Sequence, residues 1–350
     1  MKIKPYIKRI LAMTVVVIVV WLFLPSIPEK QSAVAQLTEV TATKNVTHSV
    51  SKSVKSSSES ENISEKITSN DSAALVAKAY AAELSFPTYS QPLTDKDFDR
   101  LKPNHFNPQS IPIDDVGTTV TAELSKYRYV YPEAVFATLS GENIVNAELQ
   151  LIDIANGKSL LTRKFEQDDK LWTTEFDGAR DFPAQLQAVV KAKVNGKNIT
   201  MALALQYVDS VATLESFDPA FNQAADMVIT ANLTTREKGL YRIRANLFDV
   251  NHQPIAHLVS KDKLGKGSSS IELKAHQSVL QGKQSPFYLS TFSIELMSPA
   301  PGKPTKYGDS AISQYEIKDF ETSSLSALPY QPSEQEQQRL QLLQNMAQGR

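Results

Sequence analysis

The sequence predicts a mainly β chain: two tandem antiparallel β-sandwiches with an N-terminal export or anchor helix, a disordered tether and a short C-terminal helix. Three observations point there. From Thr118 to Phe320 apolar and polar residues alternate with the period of half-buried strands, as in Ala188, Val190, Ala192 and Val194 around Lys191 and Lys193. Hairpin signals such as Asn156-Gly157, Asn195-Gly196 and Asn251-His252 separate these runs. The strands number about seven from Thr118 to Tyr207 and about seven again from Val211 to Phe320, the count of one immunoglobulin-like sandwich per roughly hundred residues.

The N-terminus reads as an export segment, residues 1–28. Lys2, Lys4, Lys8 and Arg9 precede an uncharged stretch from Ile10 to Pro28 whose centre, Val15 to Leu24, is almost wholly apolar. An uncleaved signal anchor is the first expectation, with residues 10–28 in a bacterial membrane and the bulk of the chain facing the periplasm. The alternative is a signal peptide removed after Ala35, at the A-x-A pattern Ala33-Val34-Ala35, which would leave the product periplasmic or secreted. Export sharpens the meaning of the cysteine count, which is zero. Small extracellular sandwiches often contain cysteine pairs, so a long exported chain without any suggests the bacterial envelope.

Residues 29–72 carry no aromatic and no glycine, are dense in serine from Ser49 to Ser60, and read as a disordered tether. Residues 73–117 open with a short helix rich in Ala and Leu, starting at Asp71 or Ser72, and continue as an irregular connector with five prolines between Phe86 and Pro112. The first sandwich is expected over 118–208 and the second over 209–320. A short repeat supports the division: Leu151-Ile152-Asp153-Ile154-Ala155-Asn156 corresponds to Leu247-Phe248-Asp249-Val250-Asn251. In both, a strand should end in a tight hairpin with an aspartate at its mouth. Residues 321–350 form a tail in which Ser333 and Glu336 make an S-x-x-E capping box. Leu340, Leu343 and Met346 give a helical stripe that either packs on the second sandwich or docks a partner.

Reactive motifs are sparse. The five histidines, among them His252 and His257, have no pairing at zinc-ligand spacing, and without cysteine there is no thiolate site. G-x-S-x-G and the phosphate-binding glycine loops do not occur, so neither catalytic nor cofactor residues are assigned and no cofactor is expected. The acidic loops at Asp168-Asp169 and Asp177 with Asp181 read as solvated connections, with a loop calcium site as the alternative. With 37 basic against 38 acidic residues, a nucleic-acid partner is not expected. Arg242 and Arg244 read as the solvated half of an amphipathic strand, and Trp172 as a core residue. The surface candidate is Tyr127, Tyr129 and Tyr131, three phenols at i, i+2 and i+4 on one strand face. They either line the boundary with the connector or form a ligand strip.

The run Gly239-Leu240-Tyr241-Arg242-Ile243-Arg244-Ala245-Asn246-Leu247-Phe248-Asp249, with Pro254-Ile255-Ala256-His257 after it, resembles Ig-like modules of a domain-of-unknown-function family in exported gammaproteobacterial proteins. The resemblance covers roughly residues 120 to 320 and implies a multi-module sandwich protein of the envelope or secretome with no catalytic residues to carry over. The expected function is a non-catalytic envelope protein, tethered or exported, whose modules bind a protein or glycan through edge strands or loops. A carbohydrate-active hydrolase or accessory module, with two acids converging in a pocket near Trp172 or the tyrosines, is one alternative; a secreted effector or adhesin is the other.

Overall fold

The computed structural model describes residues 69–115 and 117–348, so the export segment and the tether up to Ile67-Thr68 lie outside the described residues. The chain is mainly β. In order, the elements are α1 (Ser69–Glu83), β1 (Ser90–Pro92), α2 (Phe98–Leu101), β2 (Gln109–Pro112), β3 (Thr119–Leu124), β4 (Arg128–Val130), β5 (Val135–Ser140), β6 (Ile144–Asp153), β7 (Ser159–Lys164), β8 (Glu166–Asp168), β9 (Leu171–Phe176), β10 (Gln185–Val194) and β11 (Lys197–Val208). Then follow β12 (Ala212–Phe217), β13 (Phe221–Gln223), β14 (Asp226–Thr235), β15 (Gly239–Phe248), β16 (Pro254–Leu264), β17 (Gly267–His276), α3 (Gln277–Leu280), β18 (Phe287–Leu296), β19 (Lys306–Tyr307), β20 (Asp309–Ser310), β21 (Gln314–Ile317) and α4 (Glu334–Ala347).

Two pairs of sheets enclose two separate apolar cores. The first core lies between the sheet β2-β3-β5-β9-β8 and the sheet β4-β11-β10-β6-β7. Period-2 sequence makes it: Leu186, Ala188, Val190, Ala192 and Val194 of β10 turn inward together with Met201, Leu203, Leu205 and Tyr207 of β11. These two strands are joined by Asn195 and Gly196, both at positive φ (50° and 78°), the two-residue turn whose twist suits a tight hairpin.

The second core repeats the pairing plan. In the first unit β3 pairs with β5, β5 with β9, and β6 with both β7 and β10, which in turn pairs with β11. In the second, β12 pairs with β14, β14 with β17, and β15 with both β16 and β18, which pairs with β21. The aspartates of the sequence repeat occupy matching places in this plan. Asp153 accepts from the Ala155 N–H at 2.9 Å at the end of β6, and Asp249 accepts from the N–H groups of Asn251 (2.9 Å) and Gln253 (3.0 Å) just past β15.

The connector, expected to be ordered but irregular, contains regular strands. Its short segment β1 adds a strand to the second unit beside β16, and β2 adds one to the first unit beside β3, ahead of the expected start at Thr118. Three and four residues are too few to display a period, so neither strand shows in the pattern. The first helix starts at Ser69, inside the stretch read as tether. The expected capping box is present: the Ser333 hydroxyl accepts from the Glu336 N–H, and the Glu336 carboxylate accepts from the Ser333 N–H at 2.8 Å. The helix it starts, α4, packs against α1. No described helix is long and apolar enough to cross a membrane.

Candidate functional site

The three tyrosines singled out by their spacing do not form a solvent-facing strip. Tyr129 is wholly buried in the first core, and Tyr127 and Tyr131 pack half-buried against it. Only Tyr129 lies on β4, which pairs in parallel with β11 opposite the buried Tyr207, and Tyr127 and Tyr131 flank that strand on either side. Strand spacing reports a shared face but not which side of the sheet that face is on. The connector does meet this strand, through Asn104, whose side-chain amide donates to the Arg128 carbonyl (2.7 Å) and accepts from the Arg128 N–H (2.7 Å).

The outward residue between the tyrosines is the one that reaches across the chain. Arg128 stacks its guanidinium 3.3 Å from the Tyr307 ring centre and donates from Nε to Gln206 Oε1 at 2.9 Å. Burial lowers its pKa, opposed by Tyr307 and Glu295. Around it lies a cleft of about 220 Å³ to which the first unit contributes Lys126, Arg128 and Glu133, and the second Arg244, Glu295 and Tyr307. Of the three carboxylates lining it, Asp309 accepts from the Ser310 N–H at 2.7 Å, and Glu133 and Glu295 are held by cations. Glu133 pairs with Lys126. Both oxygens of Glu295 are engaged, one by Arg242 and the other by Arg244 Nη1 at 2.5 Å. Desolvation raises the Glu295 pKa, and the hydrogen bonds from Arg242 and Arg244 outweigh it, so the group lies below the usual carboxylate range. A carboxylate so held does not protonate a leaving group.

Arg242 and Arg244 are therefore not the solvated face their alternation suggested. They are about three-quarters buried and ion-paired. The same outward face of β15 carries Asn246, only 1% exposed, because the connector crosses it. The Asn246 amide donates to the Arg100 carbonyl at 2.7 Å, so its oxygen faces the 2.7 Å contact from His257 Nδ1, which must be the donor. Desolvation first, then Arg100 and Arg244, lower the His257 pKa to about 4. Among the described residues no three of His, Cys, Asp and Glu gather as a metal site, and Asp168, Asp169, Asp177 and Asp181 are all exposed.

The second feature is a strand edge. β17 pairs with β14 without a register shift from Asp226↔His276 to Thr235↔Gly267. At its end the Gln277 N–H points to the β14 side, donating to the Ala225 carbonyl at 2.7 Å, whereas the His276 N–H points away, to Ser90 Oγ at 3.0 Å. Backbone groups of successive strand residues face opposite sides. The N–H and C=O groups of Ser268, Ser270, Glu272 and Lys274 therefore face away from β14, and they have no protein partner among the described residues. The matching strand of the first unit, β9, has its outer side occupied by β8. Both are amphipathic strands, so only the pairing distinguishes the open edge from the covered one.

No family model matches this sequence, and no curated protein matches it. Among solved structures the chain is similar to a DUF4785 family protein from Legionella pneumophila at 15% identity and a TM-score of 0.38, over 51% of this chain and 52% of that one. It thus spans about half the length of that protein. It is also similar to the native form of alpha-2-macroglobulin from E. coli, at 12% identity and a TM-score of 0.30 over 58% of this chain and 15% of that one. Salmonella alpha-2-macroglobulin reacted with methylamine gives 12% and 0.30 over 61% and 15%. These likenesses are too distant to carry a function across.

Proposed function

We propose that the protein is a non-catalytic component of the bacterial envelope whose two sandwiches are immunoglobulin-like modules and whose second module binds an extended segment of a protein partner along β17. The carrying observation is the row of unpaired backbone groups at Ser268, Ser270, Glu272 and Lys274. An incoming strand would satisfy them, giving affinity through the main chain and selectivity through alternate side chains. The repeated pairing plan, three strands facing a four-stranded sheet, supports the module assignment. The cation-held Glu133 and Glu295 favour this reading over a hydrolase. Residues 10–28 would anchor the chain facing the periplasm, or cleavage after Ala35 would release it.

The test compares capture from envelope extracts, alongside a glycan panel, by the wild type and by Ser270→Pro. Proline at this position removes a donor that faces away from β14, so the β14 ladder keeps its bonds. The expected result is a protein retained by the wild type and lost by the variant at an unchanged melting temperature. Retention by both would place the interface elsewhere, and binding confined to the glycan panel would replace the peptide with a sugar.

A further inference from the structure

A pocket at one end of the second unit joins apolar walls to a group of lysines. Strand β18 ends at Leu296, and the chain returns to β19 through residues 297–305, which include Pro299, Pro301 and Pro304. The Met297 N–H donates to the Leu240 carbonyl at 2.9 Å, extending the β15–β18 ladder by one bond and fixing the start of this loop. Gly239 permits the close fit, since a Cβ there would lie 2.5 Å from Leu296 Cδ1.

The space enclosed is about 490 Å³, within the ~300–1,000 Å³ of small-molecule sites. Its apolar walls are Leu240, Leu296, Met297, Pro299 and Pro304, and Leu240 is 39% exposed. Three lysines stand around it against one carboxylate. Lys306 holds both oxygens of that carboxylate, Glu237, at 2.7 and 2.8 Å. Lys238 and Lys303 have no ion pair and no side-chain hydrogen bond among the described residues, so two positive charges remain uncompensated beside an apolar hollow. Water solvates such walls poorly, and a lone anion would leave them wet.

We propose that this pocket binds a monomeric long-chain carboxylate, its alkyl chain on Leu240, Leu296 and Met297 and its carboxylate between Lys238 and Lys303. Both halves of the site are needed for that ligand: the lysines select the anionic head, and the walls select the chain. Affinity should rise about fourfold for each methylene that reaches the walls, the equivalent of ~0.8 kcal/mol per buried CH₂.

Calorimetric titration of the full chain with octanoate, decanoate and dodecanoate, each below its micellar range, tests this. The expected result is saturable binding of one ligand whose affinity climbs with chain length. Lys238→Glu with Lys303→Glu should weaken dodecanoate at least tenfold, and Leu240→Gln should flatten the chain-length dependence. All three positions are at the surface, and circular dichroism checks that each variant is folded. Equal binding by wild type and all variants would overturn the proposal, because the ligand would then sit elsewhere on the chain. No uptake of dodecanoate would overturn it too. Binding to phosphatidylglycerol vesicles without uptake of the monomer would replace a pocket ligand with a membrane surface.

Discussion

The guanidinium of Arg128, on the edge of one sandwich, lies 3.3 Å from the centre of the Tyr307 ring in the other. The chain between the last strand of the first unit and the first strand of the second is only Asp209 to Val211, so this stack acts on a short joint. Nε of the same arginine is held by Gln206, and its backbone is held on both sides by Asn104. The side chain is thus oriented before it meets the ring, and little rotamer entropy remains to be lost in the stack.

A double-mutant cycle between Arg128→Ala and Tyr307→Leu should give a coupling of about 1–2 kcal/mol in urea unfolding, the range of a partly desolvated cation–π pair. Arg128→Lys keeps the charge but not the flat stack or the Gln206 bond, and should recover less than half of the loss. Additive single mutants would mean that the ring and the cation do not support each other.

The His257 environment predicts a particular pH dependence. Its pKa is about 4 in the folded chain and 6.5 in the ordinary case, through desolvation first and then Arg100 and Arg244, with Asp97 opposing. The unfolded chain takes up the proton at higher pH than the folded one. Stability from this group is therefore complete above about pH 6.5 and is lost as pH falls toward 4. His257→Asn keeps a donor for Asn246 but cannot titrate, and should reduce the slope of the urea midpoint between pH 7 and pH 5, leaving the part due to His276, whose pKa burial also lowers. Glu295, whose pKa is lowered by Arg242 and Arg244, gives stability that is lost only below the ordinary carboxylate range. That second loss should survive in the variant. A wild-type slope in His257→Asn would remove this histidine as the source.

What the sequence discloses, and what it conceals, follows from range. Period-2 runs such as Ala188 to Val194 disclose long strands, and the Ser333–Glu336 box discloses a helix start, because both are written within a few residues. The pairing of Asp153 with Asp249 as repeats is legible for the same reason. Arg128 and Tyr307 are far apart in the chain, and nothing local links them. Alternation marks Arg242, Arg244 and Asn246 as one face and leaves open that the connector covers it. The open side of β17 is hidden in another way: it depends on which neighbour is missing, and only the ladder shows that.

The repeated aspartates should behave alike when removed. Desolvation pushes the Asp249 carboxyl up, but backbone N–H groups of Gln253 and Asn251, with Lys283, outweigh it and leave the pKa below the usual range. Asp153 accepts comparable local bonds from the Ala155 N–H and, at 2.6 Å, the Asn156 amide. Asp153→Ala and Asp249→Ala should each cost about 1–2 kcal/mol by unmaking turn hydrogen bonds, measured by urea unfolding. Their double variant should be additive, since they lie in separate units. A large interaction energy would show that the two turns communicate.

With no cysteine anywhere, apolar packing between sheets must hold each sandwich. Leu203 is fully buried in the first core, paired across the ladder with Ala188, and Leu247 is fully buried in the second. Leu203→Ala should cost about 2–5 kcal/mol, from lost burial and the cavity left behind. Because the two cores share no residue, the loss should be local. Hydrogen exchange should accelerate across β10 and β11 in Leu203→Ala and across β15 and β18 in Leu247→Ala, with the other unit little changed. Equal acceleration of both units by either substitution would show that the sandwiches unfold as one, and that the Arg128–Tyr307 joint couples them more tightly than their separate cores imply.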